Sequence, residues 1–329
     1  MKNNSINFNK LSKKVKKYKA DNFQNLNENN FILDNINYRK ISNLTSGSYG
    51  KIDLLKDQSN NIVVNKKAIN KKSEKSLIKE IQINCVLSAF QYLYLKGYGK
   101  MGNVFFPKLV PRVLQVYKDT GSRINLIIEK YDGDVFNYFK SIDLADPLKE
   151  AIFIDFLYKI ACKLKLLQKY FNFMHNDLKS TNIFYKIIDP DLGFKPDNLR
   201  YVIGDLGGAF IIYNGSEIKG DILGISSTFH SGKDIFMLLH IMIAYIDSKF
   251  KSTFIEYIEF LFGDVDKENS SIEDKKWHQL YTKDSYPENY NPTNVINRIK
   301  DLYPKYNTPK DCLNVTGINF NNKYQINYN

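Results

Sequence analysis

The sequence predicts a mixed α+β chain of two lobes, a small β-rich lobe with one main helix followed by a larger helical lobe. Three observations carry this. Short runs rich in β-branched and aromatic residues, separated by turn signals, occupy most of the stretch from Phe31 to Glu129. One helical stripe, Leu77, Ile81 and then Val86 or Leu87, interrupts them. After Glu129–Gly133 the apolar spacing becomes helical, so the change of character marks a connector between two parts.

In chain order, Tyr38–Leu44 and Lys51–Leu55 read as strands flanking the small-residue turn Ser46-Gly47-Ser48-Tyr49-Gly50. Gln58–Asn61 is a turn signal, and Ile62–Ile69 is a further β-rich run. The helix with Leu77 and Ile81 follows, with Glu80 beside its apolar stripe. Val113–Tyr117 and Ile124–Ile128 form a hairpin around Asp119-Thr120-Gly121-Ser122. Asp134–Lys140, Ala151–Tyr170 and Asp234–Asp247 have helical patterns. The domain boundaries expected are a basic polar extension over 1–30, a first lobe over 31–130 and a second lobe over 131–329, the last without a recognisable motif past Phe250.

A length of 329 residues suffices for a sizeable core, and 43% hydrophobic with 25% charged residues is ordinary for a soluble globular chain. The 23 Tyr and 22 Phe against one Trp, with runs of Asn, Lys and Ile, are the composition of an AT-rich genome. The formal charge is +12, but seven lysines precede the first acidic residue, Asp21. The body is therefore less basic than the total. The tail reads as a solvated arm able to contact acidic surfaces, and it lacks the interleaved aromatics that stack on nucleic acid. Cys85, Cys162 and Cys312 include no C-x-x-C pair, so neither a disulfide framework nor a zinc site is expected. No secretory signal is visible, and Ile235–Ile246 is too short to span a bilayer. An intracellular, cytoplasmic protein is the expectation.

The chemistry concentrates in Met174-His175-Asn176-Asp177-Leu178-Lys179-Ser180-Thr181-Asn182-Ile183. An Asp, a Lys two residues on and an Asn five residues on are the types a phosphoryl-transfer site needs. The carboxylate orients an attacking hydroxyl, the cation offsets charge on the moving phosphoryl, and the amide oxygen binds Mg²⁺. Further along, the apolar strand Tyr201-Val202-Ile203 leads through Gly204 to Asp205-Leu206-Gly207, an Asp at a strand end suited to holding Mg²⁺ through hard oxygens.

These segments resemble the catalytic loop H-R-D-L-K-x-x-N and the D-F-G element of the eukaryotic-type protein kinase superfamily, with Leu206 in place of Phe. The resemblance runs from about Thr45 to Asp247. It implies a two-lobed kinase fold and a Mg²⁺-dependent transfer of the γ-phosphate of ATP to serine or threonine of a protein substrate. Asp177 and Lys179 are then catalytic, and Asn182 and Asp205 are the metal ligands. Gly47, Ser48 and Gly50 resemble the loop over the ATP phosphates, with Thr45 where the first Gly of G-x-G-x-x-G stands. The strand lysine is Lys66 or Lys67. Family spacing from Gly50 slightly favours Lys67, but strand alternation favours Lys66, which then shares a face with Val64 and Ala68. Glu80 is its implied partner. Glu129 and Tyr131 lie in the implied hinge for adenine, behind which Ile128 sits. His175 is given a packing role, and Asp234 supports the catalytic loop from below.

Three departures shape the expectation. Asn176 stands where the family has an Arg that receives an activation-loop phosphate, which implies no control by such phosphorylation. The span from Asp205 to Asp234 lacks Ala-Pro-Glu. Asp189–Asn198 lengthens the hairpin between the two motifs. Such reduced signatures look like kinases of large DNA viruses or AT-rich protists, in which case a virion location is also open. Two other readings stand beside the first. His175-Asn176-Asp177 is similar to the loop of small-molecule kinases of the choline or aminoglycoside type, against which Lys179 argues. Thr45 and the missing Ala-Pro-Glu fit a pseudokinase that binds without transfer.

Overall fold

A computed structural model of the chain describes residues 8–27, 29–47, 50–94, 108–220, 228–263 and 285–307. The architecture is mixed α+β, built on one curled antiparallel sheet and a group of helices that follows it in sequence.

The sheet holds seven strands: β1 (Phe23–Asn27), β2 (Asn30–Leu33), β3 (Ile36–Gly47), β4 (Gly50–Asp57), β5 (Ile62–Lys67), β6 (Val113–Lys118) and β7 (Ile124–Glu129). Their order is β1-β2-β3-β4-β5-β7-β6. Residues before Phe31 carry no element in the sequence reading, and here the structure corrects it. Helix α1 (Phe8–Lys16) precedes β1 and buries Leu11 completely. Leu11, Val15 and Tyr18 make a helical apolar stripe within the lysine-rich arm, and Tyr18 Oη lies 3.2 Å from Ser88 Oγ on α2 (Lys71–Tyr94).

The same arm joins the two edges of the sheet. Ala20 N donates to Val116 O at 2.9 Å, and Val116 N donates to Tyr18 O at 2.8 Å, so the segment ahead of β1 pairs with β6. Satisfying these edge groups curls the sheet on itself. Alternation then sends two side-chain sets to opposite faces. Tyr38, Leu55, Val63, Tyr117, Ile127 and Leu33 form a small buried core inside the curl. Val64, Ala68, Leu126 and Ile128 face the other way and pack into the main core with Leu77 and Ile81 of α2.

Helix α2 begins with a reciprocal cap, in which Asn70 Oδ1 accepts from Ser73 N at 2.8 Å and Ser73 Oγ accepts from Asn70 N at 3.0 Å. Beyond β7 come β8 (Gly133–Asp134), α3 (Val135–Phe139) and α4 (Pro147–Phe171). Asp146 caps α4 with Pro147 in its first turn, and Asn172 ends it in the left-handed conformation. The strands β9 (Ile183–Ile187) and β10 (Leu199–Ile203) form a hairpin. Its long turn, the stretch 189–198 singled out in the sequence, is closed by Asn198, whose amide donates to Asp189 O and Gly193 O at 2.7 Å each. A second hairpin, β11 (Phe210–Tyr213) and β12 (Ser216–Lys219), is followed by α5 (Lys233–Tyr245), α6 (Lys251–Phe262) and α7 (Pro292–Leu302). Helix α4 is the centre of this part, with α7 packed along it and Phe153, Phe156 and Tyr158 fully buried. Among the described residues no helix is long and apolar enough to cross a membrane.

Candidate active site

The residues singled out in the sequence come from many separate elements, and Lys66, Glu80, Asp177, Lys179, Asn182 and Asp205 converge. Lys66, near the end of β5, points from the face that packs on α2. Its Nζ lies 2.5 Å from Glu80 Oε1 on α2 and 3.4 Å from Asp205 Oδ1, just past β10. Lys67 points to the opposite face and pairs with Asp119 at 2.6 Å. Strand alternation thus separates the two lysines, and only Lys66 reaches the other candidate residues.

The electrostatics follow from burial. Desolvation alone would lower Lys66, but Glu80 and Asp205 outweigh it and hold the ammonium above its ordinary pKa. Burial pushes the Glu80 carboxyl up against the pull of Lys66. The Lys66 ammonium holds Asp205 below the ordinary carboxylate range. Asp205 remains half exposed at its side chain, in contrast to Glu80 at 9%. One carboxylate therefore anchors the lysine while the other still faces solvent.

The loop after α4 is built from below. Asp234, fully buried in the first turn of α5, accepts from His175 N on both oxygens and from Asn176 N at 3.1 Å. His175 is fully buried, and Asp177 N donates to its Nδ1 at 3.3 Å. That assigns the ring proton to Nε2, which donates to Gly204 O at 2.8 Å. Gly204 N in turn donates to Asn182 O at 2.8 Å. A Cβ on Gly204 would lie 2.2 Å from the Phe184 ring, so a larger residue there would force that ring to move. The imidazole thus ties the loop to the residue before Asp205, the packing role the sequence suggests for it.

Above this support, Lys179 Nζ lies 2.9 Å from Asp177 Oδ2, and Asn182 Nδ2 donates to Asp177 O at 2.9 Å and Oδ2 at 3.3 Å. Asn176, at φ 64°, turns its buried amide to Gly208 O at 3.1 Å. Asp205 is also left-handed, at φ 52°, and the next residue, Leu206, is fully buried in the main core. The Asn182 and Asp205 side chains supply a carboxamide and a carboxylate, the hard oxygens that suit Mg²⁺, a cation that binds few protein ligands and keeps several waters.

Other predicted residues lie around this centre. Gly47 and Gly50 pair across the β3–β4 turn, while Ser48 lies outside the described residues. Gly50 has φ +138°, and a Cβ there would meet Lys67 O at 2.7 Å, so the glycine serves the sheet whatever else it does. Glu129 ends β7, and its carboxylate binds Lys108 Nζ at 2.5 Å. Tyr131 is buried two residues on, its ring 6.4 Å from that of Phe184. Sequence reasoning missed the Lys108–Glu129 pair and the role of Gly204, because both depend on contacts between distant segments. Compared with models of known protein families the chain matches none, and no curated protein matches it significantly.

Proposed function

We propose that the chain is a Mg²⁺-dependent protein kinase that transfers the γ-phosphate of ATP to serine or threonine of a protein substrate. The observation that carries this reading is the convergence of Lys66, Glu80 and Asp205 beside the Asp177–Lys179–Asn182 cluster. On this reading the curled sheet with α2 and the helical part after Glu129 are the two lobes of a protein-kinase-like fold, with the hinge for adenine at Glu129–Tyr131.

The residues divide the chemistry between them. Asn182 and Asp205 would hold Mg²⁺, which when bound neutralises charge on the phosphates. Lys66, kept in place by Glu80, orients the non-transferred phosphates. Asp177 accepts a hydrogen bond from the acceptor hydroxyl and aims it, and Lys179, already on Asp177, offsets charge on the group in transit. Catalysis of this kind rests on positioning and fixed charge. Asn176 brings no positive charge to the loop, and its buried amide is spent on Gly208, which supports a kinase not governed by an activation-loop phosphate.

The test is transfer of labelled γ-phosphate from Mg-ATP to generic proteins and to small alcohols, with Asp177→Ala and Asp205→Ala alongside. Label on serine or threonine that disappears in both variants is expected. Label confined to small alcohols would replace the protein substrate with a small-molecule one. ATP binding without any transfer would favour a pseudokinase.

A further inference from the structure

Helix α2 carries a row of cations on the side that adjoins the candidate active site. Successive residues of a helix turn by about 100°. Glu80 faces Lys66, Ser76 lies next around the helix, and Lys72 and Lys79 follow it. A Cβ on Gly207 would stand 3.5 Å from Ser76 Oγ, so this side of α2 abuts the turn Leu206–Gly208 that follows Asp205. Lys75 and Lys71 come next, farther toward solvent. All four lysines are exposed, whereas Glu74, the one carboxylate on α2 besides Glu80, is half-buried. Lys219, exposed at the end of β12, adds a fifth cation. It stands in register with Phe210, two residues past the same turn, and Glu217 is the one acid on its strand. None of the five lysines is in an ion pair among the described residues.

Local physics works against this row. Like charges at i, i+4 destabilise a helix, and Lys71, Lys75 and Lys79 make two such pairs. Lys71 and Lys72 also open the helix, where the positive end of its dipole disfavours cations. Glu and Lys in alternation would solvate the face equally well without either effect. A single sign kept against both effects marks a surface shaped by an anionic partner. No aromatic side chain stands between Lys71 and Lys79 to stack on a nucleic-acid base. Lysines supply point charges without the fixed fork of arginine, which suits a run of carboxylates better than one bidentate group.

The spacing gives the shape of that partner. Lys71, Lys75 and Lys79 recur at about 6 Å along the helix axis, and alternate residues of an extended chain recur at about 6.6 Å. We propose that the row docks an acidic protein segment, extended and with carboxylates at alternate positions, and thereby selects the substrate. The segment belongs to the same protein as the serine or threonine presented to Asp177. This inference rests on the kinase reading and names its substrate class.

The experiment uses the full chain and two serine peptides, one with glutamate at alternate positions and one with glutamine in their place. Fluorescence anisotropy reads binding, and labelled γ-phosphate from Mg-ATP reads transfer. The glutamate peptide is expected to bind more tightly and to be the better acceptor. Lys75→Glu is expected to weaken its binding by about fivefold or more. The same change replaces two like-charge pairs with opposite ones, so the melting temperature should stay level or rise. Lys13→Glu, an equal change of net charge at an exposed position on α1, should leave the affinity near wild type. Equal binding of the two peptides, or equal affinity of Lys75→Glu and Lys13→Glu, would overturn the docking face while leaving the kinase reading intact. Binding of the glutamate peptide without transfer to any peptide would overturn the kinase reading, and the substrate role with it.

Discussion

Asp234 holds His175 by its backbone, with the His175 N–H shared between the two carboxylate oxygens at 2.9 and 3.1 Å. The Asn176 N–H adds a third bond to the same group. A first turn of α5 is thereby tied to the loop that carries Asp177, although Asp234 touches no candidate substrate position. Asn in its place keeps the shape but turns an amide N–H toward one of the backbone N–H donors. The expected result of Asp234→Asn is a stability loss of about 1.5–3 kcal/mol, the range for hydrogen bonds to a charged group. Urea denaturation measures it, and transfer activity should fall at temperatures where the variant is still folded. Unchanged stability and activity would mean that the loop holds its conformation without Asp234.

Lys66 and Lys67 are neighbours in sequence on opposite faces of one strand. If the chain transfers phosphate as proposed, Lys66→Met is expected to lower that transfer by about 10²-fold or more, the scale for losing one fixed charge at a transition state. Lys67→Met should stay within a few-fold of wild type, since Lys67 engages Asp119 on the far face. Side-by-side initial rates with Mg-ATP decide the matter. Equal losses in both variants would show that a sheet defect, rather than a missing charge, is being measured.

Leu11 distinguishes a docked arm from a solvated one. It is fully buried against the core beside α2. Leu11→Ala is therefore expected to cost about 2–5 kcal/mol, the usual range for truncating a buried leucine, and to lower the melting temperature. Lys13→Ala, at an exposed position of the same helix, is the control and should change little. A Leu11→Ala protein as stable as wild type would return the arm to the solvated state that its composition suggests.

What could be read without coordinates was local. The turn at 58–61, the hairpin around Asp119–Ser122 and the helices containing Ile81, Ala161 and Ile241 follow from spacing and turn chemistry. Lys66 could be preferred over Lys67 because alternation is a property of one strand. The arm was harder. Its Leu11–Val15–Tyr18 stripe is in the sequence, but seven lysines before Asp21 dominate the composition around it. Closure of the sheet rests on Ala20 and Val116 meeting across 96 residues of chain, and nothing in either segment announces the other. The same holds for Asp53 and Asn65. Read singly they are polar interruptions of β-runs, and only the strand register and the curl bury them side by side.

Asp205 supplies the pH test. Lys66 lowers its pKa, so the carboxylate remains ionised as the pH falls through the ordinary carboxylate range. The sign follows from that direction. Any stability or metal affinity that depends on ionised Asp205 is fully present above its unfolded-state pKa and is lost only as the pH drops through the lowered folded-state value. If Asp205 is a Mg²⁺ ligand, Mg²⁺-dependent binding of ADP should persist into mildly acidic solution. In Lys66→Met the largest cause of the lowering is gone, so the acid limb of the binding curve should move to higher pH. Calorimetric titration of ADP with and without Mg²⁺ across the acid range, on wild type and Lys66→Met, reads this directly. An acid limb at the same pH in both proteins would mean that Asp205 does not control metal-dependent binding, and its pairing with Lys66 would then be structural.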